Sequence, residues 1–265
     1  MYYFSGLLRH TMASYFVLAL SLLSGLVSGN AFAQERSVVF SNCPIYRDTD
    51  NGRKSGCWLA DDPASGLRYD LSDSSTKPMV GRKVLVEGVQ VKGADICGGH
   101  TLNPVRVSVL EEPCPELIIP AQKYLSKPST LPSDFIKPTS TPRDKSAPPY
   151  KRRVFELYFD LNSDYFNYQE SDTVIERAAL YAIDSNAQSV SVLGFADSVG
   201  FQANGHRFAE DAALAQQRQD KVKVALVGFG MSASVLTKAP VTAVGPPATP
   251  LSSLGRRRVV ITIDP

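Results

Sequence analysis

Residues 189–200, Ser189-Val190-Ser191-Val192-Leu193-Gly194-Phe195-Ala196-Asp197-Ser198-Val199-Gly200, read as a strand up to Phe195 that runs into a loop carrying one carboxylate. Upstream, Phe155, Leu157 and Phe159 alternate with Glu156 and Tyr158, which predicts an earlier half-buried strand. Between the two, Val174, Ala178, Tyr181 and Ala182 recur at helical spacing, and Thr173 with Glu176 makes a capping box at the start. Downstream, Leu214, Val222, Ala225 and Leu226 form the inner stripe of a second helix that ends at Gly228 or Gly230. Ser234 to Val244 is expected to contain a third strand and Arg258 to Ile263 a fourth. Strands alternating with helices make residues 151–265 an α/β sandwich, a mixed sheet covered by helices on one face.

Two charged residues in this region are candidates for a site. Asp197 follows a strand, and a loop leaving the carboxyl end of a sheet strand is the usual place for ligand groups in open α/β folds. Arg218 lies four after Leu214 and four before Val222, so the helical period puts it on the inward stripe. A buried arginine needs a partner. Asp197 is the natural one, and the guanidinium would keep donors for a ligand carboxylate, so the pair is suited to a zwitterion. A turn-forming aspartate and a satisfied ion pair are the plainer reading of the same two residues.

Four motifs in order strengthen the first reading. They are Tyr158-Phe159-Asp160-Leu161-Asn162-Ser163, the loop Gly194 to Gly200, Leu214-Ala215-Gln216-Gln217-Arg218, and Arg256-Arg257-Arg258-Val259-Val260-Ile261. Together they resemble the peptidoglycan-associating domain of the outer-membrane protein A family, shared with peptidoglycan-associated lipoproteins and flagellar stator proteins. The resemblance covers Lys151 to Pro265. It implies that Asp197 and Arg218 grip the diaminopimelate of a peptidoglycan stem peptide, ammonium to aspartate and carboxylate to arginine. It places Asp160, Asn162, Ala196, Asp211 and Arg257 around the same cleft. Departures accompany it: Ala196 replaces a threonine, Gln219 an alanine, Arg256 an asparagine, and Asp211 stands where an asparagine opens the helix. The loop is also longer, with the extra residues around Phe201 to Glu210, expected to form a lid over the cleft or to block it.

Residues 35–114 are β-rich and turn-punctuated, with candidate strands at Val38 to Phe40, Cys57 to Ala60, Leu67 to Leu71, Lys83 to Val89 and Arg106 to Leu110. Gly88 is placed to mark a bulge. An OB-like barrel is the first expectation for this small all-β domain and a small sandwich the second. Ten basic and eleven acidic side chains leave it without the positive groove that tracks a nucleic acid, and Trp58 is read as core. All four cysteines fall here and none forms a C-x-x-C pair, which points to disulfides rather than metal. Of three connectivities, Cys43–Cys57 with Cys97–Cys114 is favoured because each closes a short loop. Residues 115–150 are a Pro-rich linker: half of the protein's 18 prolines lie between Pro113 and Pro149. It reads either as a spacer that lets the last domain reach away from the first or as a tether of no required length, with Leu117-Ile118-Ile119 able to dock on a domain.

Residues 1–33 read as an export signal: Arg9, an apolar run from Ala13 to Leu26, and Ala31-Phe32-Ala33 before Gln34. Cleavage after Ala33 is expected, with an uncleaved anchor as the alternative. The net charge of +2 excludes a strongly basic nucleic-acid binder. The stretch before the linker is too short for a membrane barrel of eight strands of about ten residues each. His100 and His206 have no evident nucleophile or metal partner, so a wall hydrolase is disfavoured, and no catalytic residue, cofactor or metal is assigned. The expectation is a periplasmic, peptidoglycan- or outer-membrane-associated protein that is not an enzyme. Its last domain binds peptidoglycan and its first attaches to an envelope protein complex. The alternative is a structural subunit of a secretion or motility complex whose altered cleft serves protein contacts.

Overall fold

A strand continues only where its backbone finds partners, and the strands between Arg36 and Ile119 solve this by curling one sheet onto itself. The computed structural model describes residues 36–48, 56–93, 97–120, 143–167, 170–237 and 254–265. The signal segment, and the part of the linker from 121 to 142, lie outside them. Seven strands form the first sheet: β1 (Arg36–Asn42), β2 (Ile45–Arg47), β3 (Cys57–Asp61), β4 (Arg68–Asp70), β5 (Arg82–Gln90), β6 (His100–Pro113) and β7 (Leu117–Ile119). Their order is β1-β5-β6-β4-β3-β2-β7. From β1 to β2 is five strand spacings, about 24 Å if the sheet were flat. Three Cα steps from Asn42 to Ile45 span at most about 11 Å. The sheet therefore closes, with β1 and β2 as consecutive segments of one bent strand. Pairing is antiparallel except for β4 with β6 and β2 with β7. Val38, Phe40, Tyr69, Leu71, Val84, Val86 and Val107 fill the interior, with Trp58 packed partly buried against them.

Gly88 does sit at an irregularity, where the β5–β6 register shifts before Gln90. The all-β part runs past Cys114 to Ile119, because β7 pairs with β2.

The favoured cysteine pairing is corrected by the structure. Cys43 joins Cys114 and Cys57 joins Cys97, each with Cα atoms 5.7 Å apart. Loop length acts only on the unfolded chain, whereas pairing needs Cα atoms within reach. Sheet closure puts the β1–β2 corner beside the end of β6, and the β4–β6 pairing brings the turn before β6 to the start of β3.

The second lobe is the mixed sheet expected, in the order β12-β9-β13-β8. Its strands are β8 (Arg153–Tyr158), β9 (Ser189–Gly194), β12 (Leu236–Thr237) and β13 (Arg258–Asp264). The central β13 is antiparallel to both neighbours, and β12 is parallel to β9. Helices α1 (Glu170–Asp184) and α2 (Ala213–Gly228) cover one face. Between sheet and helices lie Leu157, Phe159, Ile175, Val190, Val192, Val222, Leu226, Val259 and Ile261. Thr173 and Glu176 lie inside α1 rather than at its opening. Of the third expected strand, residues 236–237 pair and 238–244 lie outside the described residues.

Helix α2 approaches the sheet so closely that a Cβ on Gly194 would come within 2.0 Å of the Ala215 carbonyl oxygen. Gly194→Ala is expected to cost about 1–3 kcal/mol by overpacking. Thermal unfolding reads it as a lowered Tm, and an unchanged Tm would show that α2 moves outward freely.

The two lobes are not held apart. From Glu35 onward the chain is one compact unit. Glu87 of β5 and Arg257, both fully buried, form an ion pair across the lobes. Arg106 of β6 binds Glu170 at the start of α1. The Ser108 hydroxyl accepts the Leu161 amide at 2.9 Å. Among the described residues the last domain therefore packs on the first. The end of the linker rests on the second lobe, where Arg143 forks onto Asp184 at 2.6 and 2.8 Å.

Wedged between the lobes is the extra segment of the loop, a hairpin of β10 (Phe201–Ala203) and β11 (His206–Phe208). Its Ala203 and Phe208 cluster with Leu85 of β5 and with Leu161, and its Phe201 packs alongside. The Asn204 side chain accepts the Ser41 amide of β1 at 2.8 Å.

Candidate ligand cleft

Helix α2 turns Ala215, Arg218, Gln219, Val222 and Leu226 inward, so the arginine lies on the buried face as its spacing predicts. It is fully buried and its guanidinium lies over the Phe159 ring, 4.9 Å from the centroid. Nε donates to the Ser163 carbonyl at 2.8 Å. Nη1 donates to the Phe195 carbonyl at 3.0 Å and to Glu210 Oε2 at 2.9 Å. Nη2 donates to the Asp160 carbonyl at 3.3 Å and to Glu210 Oε1 at 2.6 Å. An arginine has five N–H donors, and all five are used here inside the protein.

The partner is Glu210, not Asp197. Its carboxylate, also fully buried, takes the guanidinium fork and two main-chain amides: Asn162 N–H on Oε1 and Asp197 N–H on Oε2, both at 2.9 Å. Four donors on one carboxylate complete its acceptor capacity. The Glu210 amide in turn donates to the Asp197 carbonyl at 2.9 Å, which stitches the end of the hairpin to the loop after β9.

Asp197 is fully buried and turns its side chain elsewhere. Oδ1 accepts the Gly200 amide at 2.9 Å and faces Arg256 Nη1 at 3.4 Å, while Oδ2 is buried with no hydrogen-bond partner among the described residues. Gly200 is at φ +75°, and a Cβ there would meet the Phe208 carbonyl oxygen at 2.3 Å, so the loop can close against the hairpin only with glycine. Asp197 and Arg218 therefore do not pair directly; they meet around a third residue that the spacing argument did not single out.

The other expected cleft residues separate into different roles. Asn162, in the left-handed region at φ 55°, contributes its amide to Glu210. Ala196 is fully buried beside Asp197. Asp211 is exposed and accepts the Ala213 amide at 2.8 Å, a local cap on α2. Asp160 points its side chain at the all-β lobe, where Thr76 Oγ1 donates to Oδ2 at 2.5 Å and Oδ1 has no partner among the described residues. Burial pushes this carboxyl above its ordinary range, against the pull of the Thr76 hydrogen bond and the Arg106 charge. Arg257 braces the lobe interface rather than a ligand site, through Glu87. Burial works against its charge, but the carboxylates of Glu87, Glu210 and Asp197 hold its pKa above the usual arginine value.

Two residues that organise this centre were missed from sequence. Glu87 had a signal: it is the one acid in Val84-Leu85-Val86-Glu87-Gly88-Val89, an otherwise apolar run whose burial demands a cation. Glu210 had only its place at the end of the insertion. Among the described residues, no cluster of His, Cys, Asp and Glu is arranged to hold a metal ion. No helix among them is long and apolar enough to cross a membrane.

No protein-family model matches the chain, and no curated protein does. Among solved structures, the chain is similar to the OmpA-like domain of FopA1 from Francisella tularensis, with 18% identity, a TM-score of 0.35, and coverage of 43% of this chain and 73% of that one. It is similar to the peptidoglycan-associated lipoprotein from Burkholderia pseudomallei, with 19% identity, a TM-score of 0.33, and coverage of 42% and 90%. It is also similar to the cell wall anchor of the T6SS from Pseudomonas aeruginosa, with 21% identity, a TM-score of 0.33, and coverage of 43% and 81%.

Proposed function

We propose that this chain is a non-enzymatic protein of the cell envelope whose second lobe is of the peptidoglycan-associating kind, with its cleft closed from within. In that state it works as a structural subunit of an envelope assembly, and a stem-peptide diaminopimelate finds no free guanidinium to grip. The observation that carries this reading is the saturation of Arg218, whose fork is filled by the chain's own Glu210. The four ordered motifs support the envelope setting, and two disulfides fit an oxidising compartment. We read the first lobe as an OB-like barrel, from its closure through β1 and β2 and its parallel β4–β6 pairing. Its near-balanced charge favours a protein partner in the envelope over nucleic acid.

The test is a pull-down of the purified protein on isolated sacculi. The protein is expected to stay in the supernatant. Retention on sacculi that free diaminopimelate competes away would overturn the closed-cleft reading.

A further inference from the structure

We infer that Glu210 is a built-in occupant of the carboxylate pocket around Arg218, which keeps a ligand carboxylate out for as long as the β10–β11 hairpin stays packed on the all-β lobe. This rests on the closed-cleft reading and adds to it a second state and the contact that controls it.

The pocket's donors come from three places in the second lobe: the Asn162 amide after β8, the Asp197 amide after β9, and Arg218 on α2. The Arg218 guanidinium is held in place independently of Glu210, by the carbonyls of Ser163, Phe195 and Asp160 and by the Phe159 ring. The carboxylate arrives from a different element, at the end of the hairpin. Withdrawing it leaves two main-chain amides and a guanidinium fork converging on a point, the geometry that binds a planar carboxylate through parallel hydrogen bonds.

The hairpin is anchored from the other side. Phe201 and Phe208 stack with centroids 5.5 Å apart and pack with Leu85, Val39 and Leu110 of the first lobe. Asn204 holds the Ser41 amide of β1. The Arg257 guanidinium lies 5.8 Å from the Phe201 ring centroid and is itself tied to Glu87. A tethered carboxylate acts at high effective concentration, so free carboxylates do not displace Glu210 while these contacts stand. Loosening them lowers that concentration. Coupling is reciprocal, so a ligand in the pocket must weaken the hairpin's hold on the first lobe.

The probe is acetate, titrated into purified full-length protein and read by Tm and by hydrogen exchange at the Asn162 and Asp197 amides. Wild-type protein is expected to show no saturable response. Glu210→Ala is expected to gain acetate-dependent stabilisation at least tenfold tighter than any wild-type response, and Glu210→Ala with Arg218→Ala to lose it. Phe208→Ala keeps Glu210 and removes only hairpin packing. It is expected to speed exchange at both amides at least tenfold and to bind acetate with intermediate affinity. Should Glu210→Ala fail to fold, Glu210→Gln and Phe208→Ala carry the same readouts. A folded Glu210 variant with no acetate response overturns the carboxylate pocket. Unchanged exchange in Phe208→Ala overturns the coupling to the first lobe. Wild-type binding as tight as that of Glu210→Ala would instead overturn the closed-cleft reading on which the inference rests.

Discussion

Glu87→Ala is expected to lower the folding free energy by about 3–5 kcal/mol, the range for removing one partner of a buried ion pair. Both members are fully buried, and Arg257 Nη1 already has no hydrogen-bond partner among the described residues. The remaining side-chain hydrogen bond of Arg257, from Nε to the Phe159 carbonyl, is long at 3.4 Å. Losing Glu87 therefore leaves a guanidinium buried at the junction of two lobes, with Glu210 and Asp197 as its nearest compensation. The same physics makes the pair itself dispensable. Replacing both members by apolar residues of similar size, Glu87→Leu with Arg257→Met, is expected to recover most of the loss. Urea unfolding of Glu87→Leu, Arg257→Met and the double variant closes a mutant cycle, and the coupling it reports separates pairing from packing. A Glu87→Ala protein within 1 kcal/mol of wild type would show that water reaches this junction.

Breaking the Cys43–Cys114 bridge, as Cys43→Ser with Cys114→Ser, is expected to cost about 4 kcal/mol in the chain-entropy model. The bridge closes a loop with a sequence separation of 71, against 40 for Cys57–Cys97. Because closure entropy grows only with the logarithm of length, the two bridges should differ by only about 0.5 kcal/mol. The first holds the β1–β2 corner, where the curled sheet closes, to the end of β6. Its loss is therefore expected to loosen β1, and with it the Ser41 contact to the hairpin. Chemical denaturation measures the cost. Unreduced peptide mapping checks the pairing beforehand, since a peptide joining Cys43 to Cys57 would contradict it.

Periodicity located most of the strands and both helices because it reports which face of a local segment is buried, and that is a property of neighbours in sequence. The inward arginine was legible for the same reason: it sits at helical spacing among apolar residues. Its partner was not. Asp197 satisfied every local criterion, an acid in a loop after a strand, and yet its side chain bonds its own turn and Arg256. Choosing between two acids within reach of one guanidinium depends on where the inserted hairpin lies, and that depends on the first lobe.

The amino-acid sequence by itself determined the α/β order of the second lobe, the β-rich disulfide-bearing first lobe, and the burial of Arg218. Each follows from the local alternation of apolar and polar side chains and from turn chemistry. Tertiary structure alone decided the cysteine pairing, the docking of the lobes through Glu87 and Arg257, and the filling of the cleft by Glu210. Those outcomes join residues as far as 170 positions apart. They turn on which burial-demanding charges and sulfurs a closed sheet brings within a few ångströms, a question of packing that no window of sequence contains.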